Sequence, residues 1–274
     1  RWAGVIEQRA GANSANSANS DDTALARMRR ALLADVLIAS EEMSEELLAA
    51  VDVVFDLDPP TKAIPTVLPA AAIEYASITA SGPGGCQVAV WRGDGRSLAV
   101  DAVVNAANEG GTGCYTPHHK CIDNVLHRAA GPRMRHECAE CMRKRGAPLS
   151  AGTPPIVTSG WRLPAGKVIH VTGPQLRIPG SSPNPLEASQ LRGAYEGCLN
   201  ACKVHGCRSI SFCCLSTGLF GYPHQDACQT ALETVHAWLS LPSNQGFLDL
   251  VVFNVFTPQD EEAYLAWTPV VFID

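Results

Sequence analysis

The sequence holds no run of about eighteen apolar residues, so no stretch of it is built to cross a bilayer as a helix. Its first thirty residues lack the continuous apolar core of a secretory signal. Basic residues are in deficit: 21 Lys and Arg against 27 Asp and Glu leave a formal charge of −6. A general binder of nucleic-acid backbone would need a basic face, so that class is excluded, although a local basic patch is not. No lysine occurs in the glycine-bearing segment 216–223, which rules out a Walker-type phosphate loop there. No second Cys/His cluster stands near the one at 114–121, which argues against a structural zinc site of the two-pair kind.

What is present suits a soluble globular chain. At 274 residues and 46% hydrophobic content, the chain can bury a sizeable core in one large domain with an appendage, or in two small ones. Its first residue is Arg rather than Met, which points to a trimmed chain. An intracellular location is expected, cytoplasmic first, with organellar targeting left open. Eleven cysteines are many, but the number is odd and the spacing irregular. Cys198, Cys202, Cys213, Cys214 and Cys228 sit in apolar, regularly patterned segments, where Cys acts as a small hydrophobe. Reduced thiols fit this pattern better than a disulfide framework. Cys138 and Cys141 form a C-x2-C within the charged stretch RMRHECAECMRKR, and read as surface helix cysteines rather than as a second metal or redox site.

Along the chain, residues 1–20 carry the polar repeat NSANSANS. Residues 21–38 have helical spacing, with Leu25, Met28, Leu32, Leu33 and Val36 on one side. Ser40 or Ser44 can cap a second helix through Val51. Four prolines, at 59, 60, 65 and 69, then punctuate a connection. Residues 1–80 are therefore expected to form a helical extension and 81–274 the main domain. From Gln87 strands and helices alternate. Strands are predicted at 87–91, 99–106, 155–158, 167–172, 208–215 and 248–256. Helices are predicted at 122–145 with a break at Gly131-Pro132, 186–205, 223–240 and 259–267. That alternation implies a parallel or mixed sheet covered on both faces, with ligands beyond the carboxyl ends of the strands.

Two loops follow strands directly. The first lies in VDAVVNAANEGGTGCYTPHHKCIDNVLH (100–127), where a buried strand breaks at three glycines and Cys114, His119 and Cys121 fall within eight residues. Two thiolates and an imidazole at C-x4-H-x-C are a legitimate zinc shell, and His118 is a possible fourth ligand. Spacing alone leaves zinc and ordinary reduced thiols both open. The helix that follows puts Asp123 and His127 on one face. The second loop, STGLFGYP (216–223), lets backbone N–H groups converge on an anion at a helix N-terminus. A plain strand-to-helix turn explains it equally well.

With WRGDG (91–95), VDAVVNAAN (100–108), IDNVLHRAAGP (122–132), GWRLPAGKVIHVTGP (160–174) and STGLFGYP (216–223) in this order, the chain resembles a macrodomain over roughly 86–270. The C-x4-H-x-C insert and the N-terminal extension resemble the zinc-dependent protein-ADP-ribose hydrolases within that family. The resemblance implies an α/β fold, a three-layer α/β/α sandwich around a mixed sheet. It implies Zn2+ held by Cys114, His119 and Cys121. Asp94, with the backbone of Gly95, would read the adenine, and Phe256 would stack on it. Gly95 departs from the apolar residue usual at that place. Ser216, Thr217, Gly218, Leu219, Phe220 and Gly221 would cradle the diphosphate, with Phe220 or Tyr222 covering the distal ribose. Asn108 would hold that ribose, Asp123 would act near the anomeric carbon, and Asn124 stands where a glycine is frequent. His127 and His170 read as hydrogen-bonded core histidines. The implied activity is removal of mono-ADP-ribose from protein side chains, most naturally Asp or Glu esters, with ADP-ribose as product and a monomeric enzyme. A non-catalytic ADP-ribose reader and an O-acetyl-ADP-ribose deacetylase use the same pocket.

Overall fold

The computed structural model describes residues 44–46, 48, 49, 51, 66–116 and 119–273. The chain divides into two units, Arg1–Pro65 and Thr66–Asp274. In the first, the described positions from 45 to 51 are helical and Leu48 and Val51 are fully buried, in line with the second helix expected there. The helix expected at 21–38, the repeat before it and His118 lie outside the described residues.

The second unit begins with α1 (Pro69–Glu74), opened by a proline whose missing N–H costs nothing in a first turn. Strand β1 (Ile78–Ser81) follows and pairs antiparallel with β2 (Gln87–Arg92). Residues 66–80, counted with the extension from sequence, thus belong to the larger unit because their strand completes its sheet. β1 has only four residues, alternating half-buried and exposed, and carries too weak a periodic signal to predict.

The remaining elements in order are β3 (Ala102–Ala106), α2 (Ile122–Ala130), α3 (Pro132–Arg145), β4 (Ile156–Ser159), β5 (Lys167–Val171), α4 (Pro185–His205), β6 (Ser209–Cys213), α5 (His224–Ser240), β7 (Leu250–Val255) and α6 (Pro258–Val271). The strands form one seven-stranded sheet in the order β1-β2-β7-β6-β3-β5-β4. The five inner strands are parallel and the two edges antiparallel. The expected mixed α/β sandwich is the observed fold. Each strand and helix predicted from Gln87 onward is present, with ends shifted by a few residues.

Alternation along the strands sorts the core into two layers. Val88, Val90, Ala102 and Val104 point to the layer of α4, α5 and α6, packing with Leu191, Tyr195 and Leu232. Ala89, Trp91 and Val103 point the other way, onto Ala72 of α1, Leu126 of α2 and Met134 of α3. Gly131 adopts φ +86°, which a left-handed-tolerant residue alone allows cheaply, and Pro132 starts α3. That pair makes the break expected there, between α2 and α3. Asn184 caps α4 with a reciprocal Glu187 contact. All eleven cysteines are free thiols. Cys138 is fully buried and Cys141 half-buried, which corrects their reading as surface residues: the apolar stripe of α3 that faces the sheet runs through Cys138. Among the described residues no helix is long and apolar enough to cross a membrane.

Candidate active site

The parallel strands all deliver their carboxyl ends to one edge of the sheet, where α/β folds collect ligands. β3 delivers Asn105 and then the loop with Asn108 and the three ligand residues. β6 delivers the 214–223 loop, β2 leads to Asp94, and β7 leads to Phe256.

The three candidate metal ligands come together. One donor atom from each of Cys114, His119 and Cys121 lies within 4.8 Å of the others. Cys114 Sγ is 3.3 Å from His119 Nδ1, near the ~3.5 Å edge expected of a zinc tetrahedron with Zn–S and Zn–N bonds of about 2.3 and 2.0 Å. Among the described residues this group holds three donors, two thiols and an imidazole, a set whose chemistry fits zinc. Cys121 also caps α2, accepting the Asn124 backbone N–H at 3.4 Å. Burial pushes the Cys121 thiol up to about 11, the Asn124 N–H opposes that, and Cys114 raises it further.

The loop is held by side chains from α2 and α3. The Asn124 amide donates to the carbonyls of Thr116 and His119 at 2.7 and 3.0 Å, so it faces the ligand loop. Arg135, 3% exposed, donates to the Thr112 and Cys114 carbonyls at 2.6 and 3.3 Å and lies 4.3 Å from the centre of the Tyr115 ring. Asn108 closes the loop on itself. Its Oδ1 accepts the Gly110 N–H at 2.9 Å, and its Nδ2 donates to the Gly113 carbonyl at 3.0 Å and lies 3.4 Å from Asp123 Oδ2.

Behind this loop is a buried polar cluster. Asn105 Nδ2 donates to Asp123 Oδ1 at 2.8 Å and is 3.1 Å from His170 Nδ1. His170 Nε2 is 2.9 Å from Thr158 Oγ1 and 3.5 Å from Cys138 Sγ. Burial lifts Asp123 to about 6, with the Asn105 hydrogen bond opposing the rise. Burial brings His170 down to about 3 and lowers His127 as well, the latter helped by His170 and Arg135. His170 is the hydrogen-bonded core histidine that the sequence implied. His127 is buried too, but neither of its ring nitrogens has a hydrogen-bond partner among the described residues, and Asp123 Oδ1 is 3.4 Å from Nε2.

His127, Cys138 and His170 likewise bring donor atoms within 4.8 Å. Both His170 nitrogens already face polar partners, and burial drives the Cys138 thiol strongly toward its protonated form. This second cluster therefore reads as hydrogen-bonded core rather than as a metal site.

The 216–222 loop has anion-binding geometry. Ser216 has φ +66° and a buried hydroxyl without a partner among the described residues. Tyr222 N–H donates to Ser216 O and Gly221 N–H to Gly218 O, at 2.9 and 3.0 Å. These bonds curl the loop and leave the N–H groups of 218–220 without a protein acceptor among the described residues. Tyr222 is buried in the core, whereas Phe220 is half-exposed and better placed for a ligand. At the far end, Asp94 is gripped by Arg96 through bonds of 2.6–3.1 Å, which hold its carboxyl below the usual range. A Cβ on Gly95 would sit 2.4 Å from Asn254 Oδ1. Asn254 in turn ties β7 to Trp91 and Gly93 through their carbonyls, so the unusual glycine answers that asparagine. Phe256 is 78% exposed, with its face open to solvent.

Asn105, Thr158, Arg135 and Asn254 did not emerge from sequence. Asn105 had a signal: a lone carboxamide inside the apolar strand AVVNA has to find a buried partner.

The family model that matches is the Macro domain, over residues 104–231. A probable bifunctional ADP-ribose hydrolase/ADP-ribosyltransferase of Fusarium oxysporum f. sp. cubense is 43% identical over 187 residues, 66% of this chain and 31% of that protein. A protein-ADP-ribose hydrolase of Treponema medium is 42% identical over 175 residues, 64% of each chain. The match thus spans under two thirds of either relative's length. A structure of the Oceanobacillus iheyensis macrodomain with ADP superposes with a TM-score of 0.60 at 30% identity, covering 68% of this chain and 92% of that one.

Proposed function

The chain belongs to the macrodomain family, and on that premise we propose that it hydrolyses the bond between mono-ADP-ribose and a protein side chain, most naturally an Asp or Glu ester. The observation that carries the proposal is a juxtaposition. Three metal-ligating side chains, Asn108 and the buried Asp123 are gathered on the loop and helix that follow the carboxyl end of β3. The names of the Fusarium and Treponema relatives, both ADP-ribose hydrolases, support the same reading.

Each part of the substrate has a counterpart. The N–H groups of 218–220 suit the diphosphate. Phe256 offers an open face to the adenine, and Asp94 an acceptor to its amino group once it shares Arg96. Asn108 closes the loop from which the distal ribose would be held. Asp123 stands beside Asn108, where a carboxylate can orient or deprotonate the attacking water; such a base contributes typically ~10²–10⁴-fold. Cys114, His119 and Cys121 would hold the zinc ion, which when bound supplies a moderate Lewis acid to polarise or position a substrate oxygen. The first partner is then a mono-ADP-ribosylated protein, and ADP-ribose leaves as product.

The test is release of ADP-ribose from an automodified acceptor protein by the native chain, by chelator-treated chain, and by Cys121→Ala. Turnover is expected from the first alone, restored to the second by zinc. Undiminished turnover without metal would refute the metal's role. Micromolar ADP-ribose binding with no turnover on several modified proteins would make the chain a reader, and turnover confined to O-acetyl-ADP-ribose would move it to the small-molecule hydrolases.

A further inference from the structure

We propose that Asn105 and His170 act as positioning residues that hold the Asp123 carboxylate in one orientation through a directed chain of hydrogen bonds anchored at Thr158. The inference rests on the hydrolase reading only for what that orientation accomplishes.

The direction of each bond follows from the one before it. An ionised Asp123 can only accept, so the atom of Asn105 lying 2.8 Å from Asp123 Oδ1 must be the amide nitrogen. That nitrogen has a second hydrogen, and the atom facing it at 3.1 Å is His170 Nδ1. His170 Nδ1 is therefore the acceptor, and the neutral ring carries its hydrogen on Nε2. There the hydroxyl of Thr158 accepts at 2.9 Å. The four groups come from β3, α2, β5 and β4, and Asn105, Asp123, His170 and Thr158 are each at most 3% exposed. In such surroundings a lost partner is not replaced by water, so the chain fixes one arrangement. Its effect at Asp123 is specific. Oδ1 is committed to Asn105, which leaves Oδ2 turned toward Asn108, 3.4 Å away, and so toward the ribose end of the pocket. Neither Asn105 nor His170 reaches the loop surface, so they act only through Asp123.

The chain predicts an order among variants that packing does not. An asparagine at 170 places its amide oxygen where Nδ1 was, and can still accept from Asn105. A glutamine reaches the Nε2 position instead and leaves Asn105 without its acceptor, although glutamine is nearer histidine in volume. In the full-length chain loaded with zinc, Asn105→Ala and His170→Gln should lower kcat roughly 100-fold with KM little changed, as for a group displaced by about 1 Å. His170→Asn should keep kcat within about tenfold of wild type. A filling role would rank glutamine above asparagine; that order, or losses that follow thermal stability alone, overturns the proposal.

The ring nitrogens of wild-type protein supply a readout independent of activity. 15N NMR should show His170 protonated on Nε2, assigned by loss of its signals in His170→Asn, and the Asn105→Ala crystal structure should show the Asp123 carboxylate turned. A proton on Nδ1, or an unmoved carboxylate in Asn105→Ala, overturns the proposal. Absence of turnover in wild type overturns the hydrolase reading instead, and the NMR and crystallographic results then decide the positioning chain.

Discussion

Gly113 sits beside Cys114, the first of the proposed metal ligands, and replacing it with alanine probes the loop from within. Its φ is +91°, and an added Cβ would lie 2.8 Å from His127 Cδ2 and Nε2 and 2.9 Å from Cε1. Ordinary carbon contacts are ~3.5–4.0 Å, so the overlap is about 0.7 Å against a ring, not against the free end of a flexible chain. The ring has little room to move. His127 is 3% exposed, lies 5.7 Å from the His170 ring, and is flanked by Asp123. Two costs add: about 1–2 kcal/mol for an L-residue at left-handed φ, and about 1–3 kcal/mol for overpacking. Gly113→Ala should therefore destabilise the chain by about 3 kcal/mol, which lowers Tm by roughly 10 °C in a unit of this size. The assay is thermal unfolding by circular dichroism at fixed zinc. It is completed by His127→Ala and the double variant, because removing the ring removes the clash. The cycle should return a favourable coupling of more than about 1 kcal/mol. A Tm within about 2 °C of wild type, or additive single effects, would refute the packing argument.

Two further outcomes follow from the geometry. Phe256→Ala should leave Tm unchanged, because the ring is 78% exposed, yet weaken ADP-ribose binding in calorimetry by about 1–3 kcal/mol, the usual worth of a base stacked on an aromatic ring; an unaltered Kd removes Phe256 from the adenine site. Acid should destabilise the chain through His170. Its folded pKa, held near 3 by burial, lies below the unfolded value of about 6.5, so the unfolded chain binds more protons between those values. The stability contribution is present above pH ~6.5 and drains as pH falls toward 3. Relative to His170→Asn, wild type should lose up to about 1.4 kcal/mol per pH unit across that window, measured by urea unfolding at several pH values, and parallel curves would contradict the burial argument.

Much of the molecule was legible before folding because its signals are local. The strand-helix alternation from Gln87 onward, the glycine break at 110–113 and the three ligands inside eight residues depend on spacing along a short stretch of chain. Other features depend on what lies across the sheet. Strand β1 (Ile78–Ser81) is four residues long and gains its place only by pairing with β2. Cys138 looked exposed within a charged helix, yet the sheet covers that face and buries it. Gly95 looked like a departure from the family until Asn254, 159 positions later in the chain, showed what fills the space a side chain would need.

The sequence by itself determined the fold class, the order of the elements and the closeness of Cys114, His119 and Cys121, because one short loop carries all three. Only the tertiary structure decided how Asp123 is aimed. Its neighbours Asn105, His170 and Thr158 are brought together by the pairing of β3 with β5 and of β5 with β4, and no spacing along the chain encodes that meeting. The reason is physical: a hydrogen bond in a buried site is set by which strands lie side by side, and strand order is a property of the whole sheet.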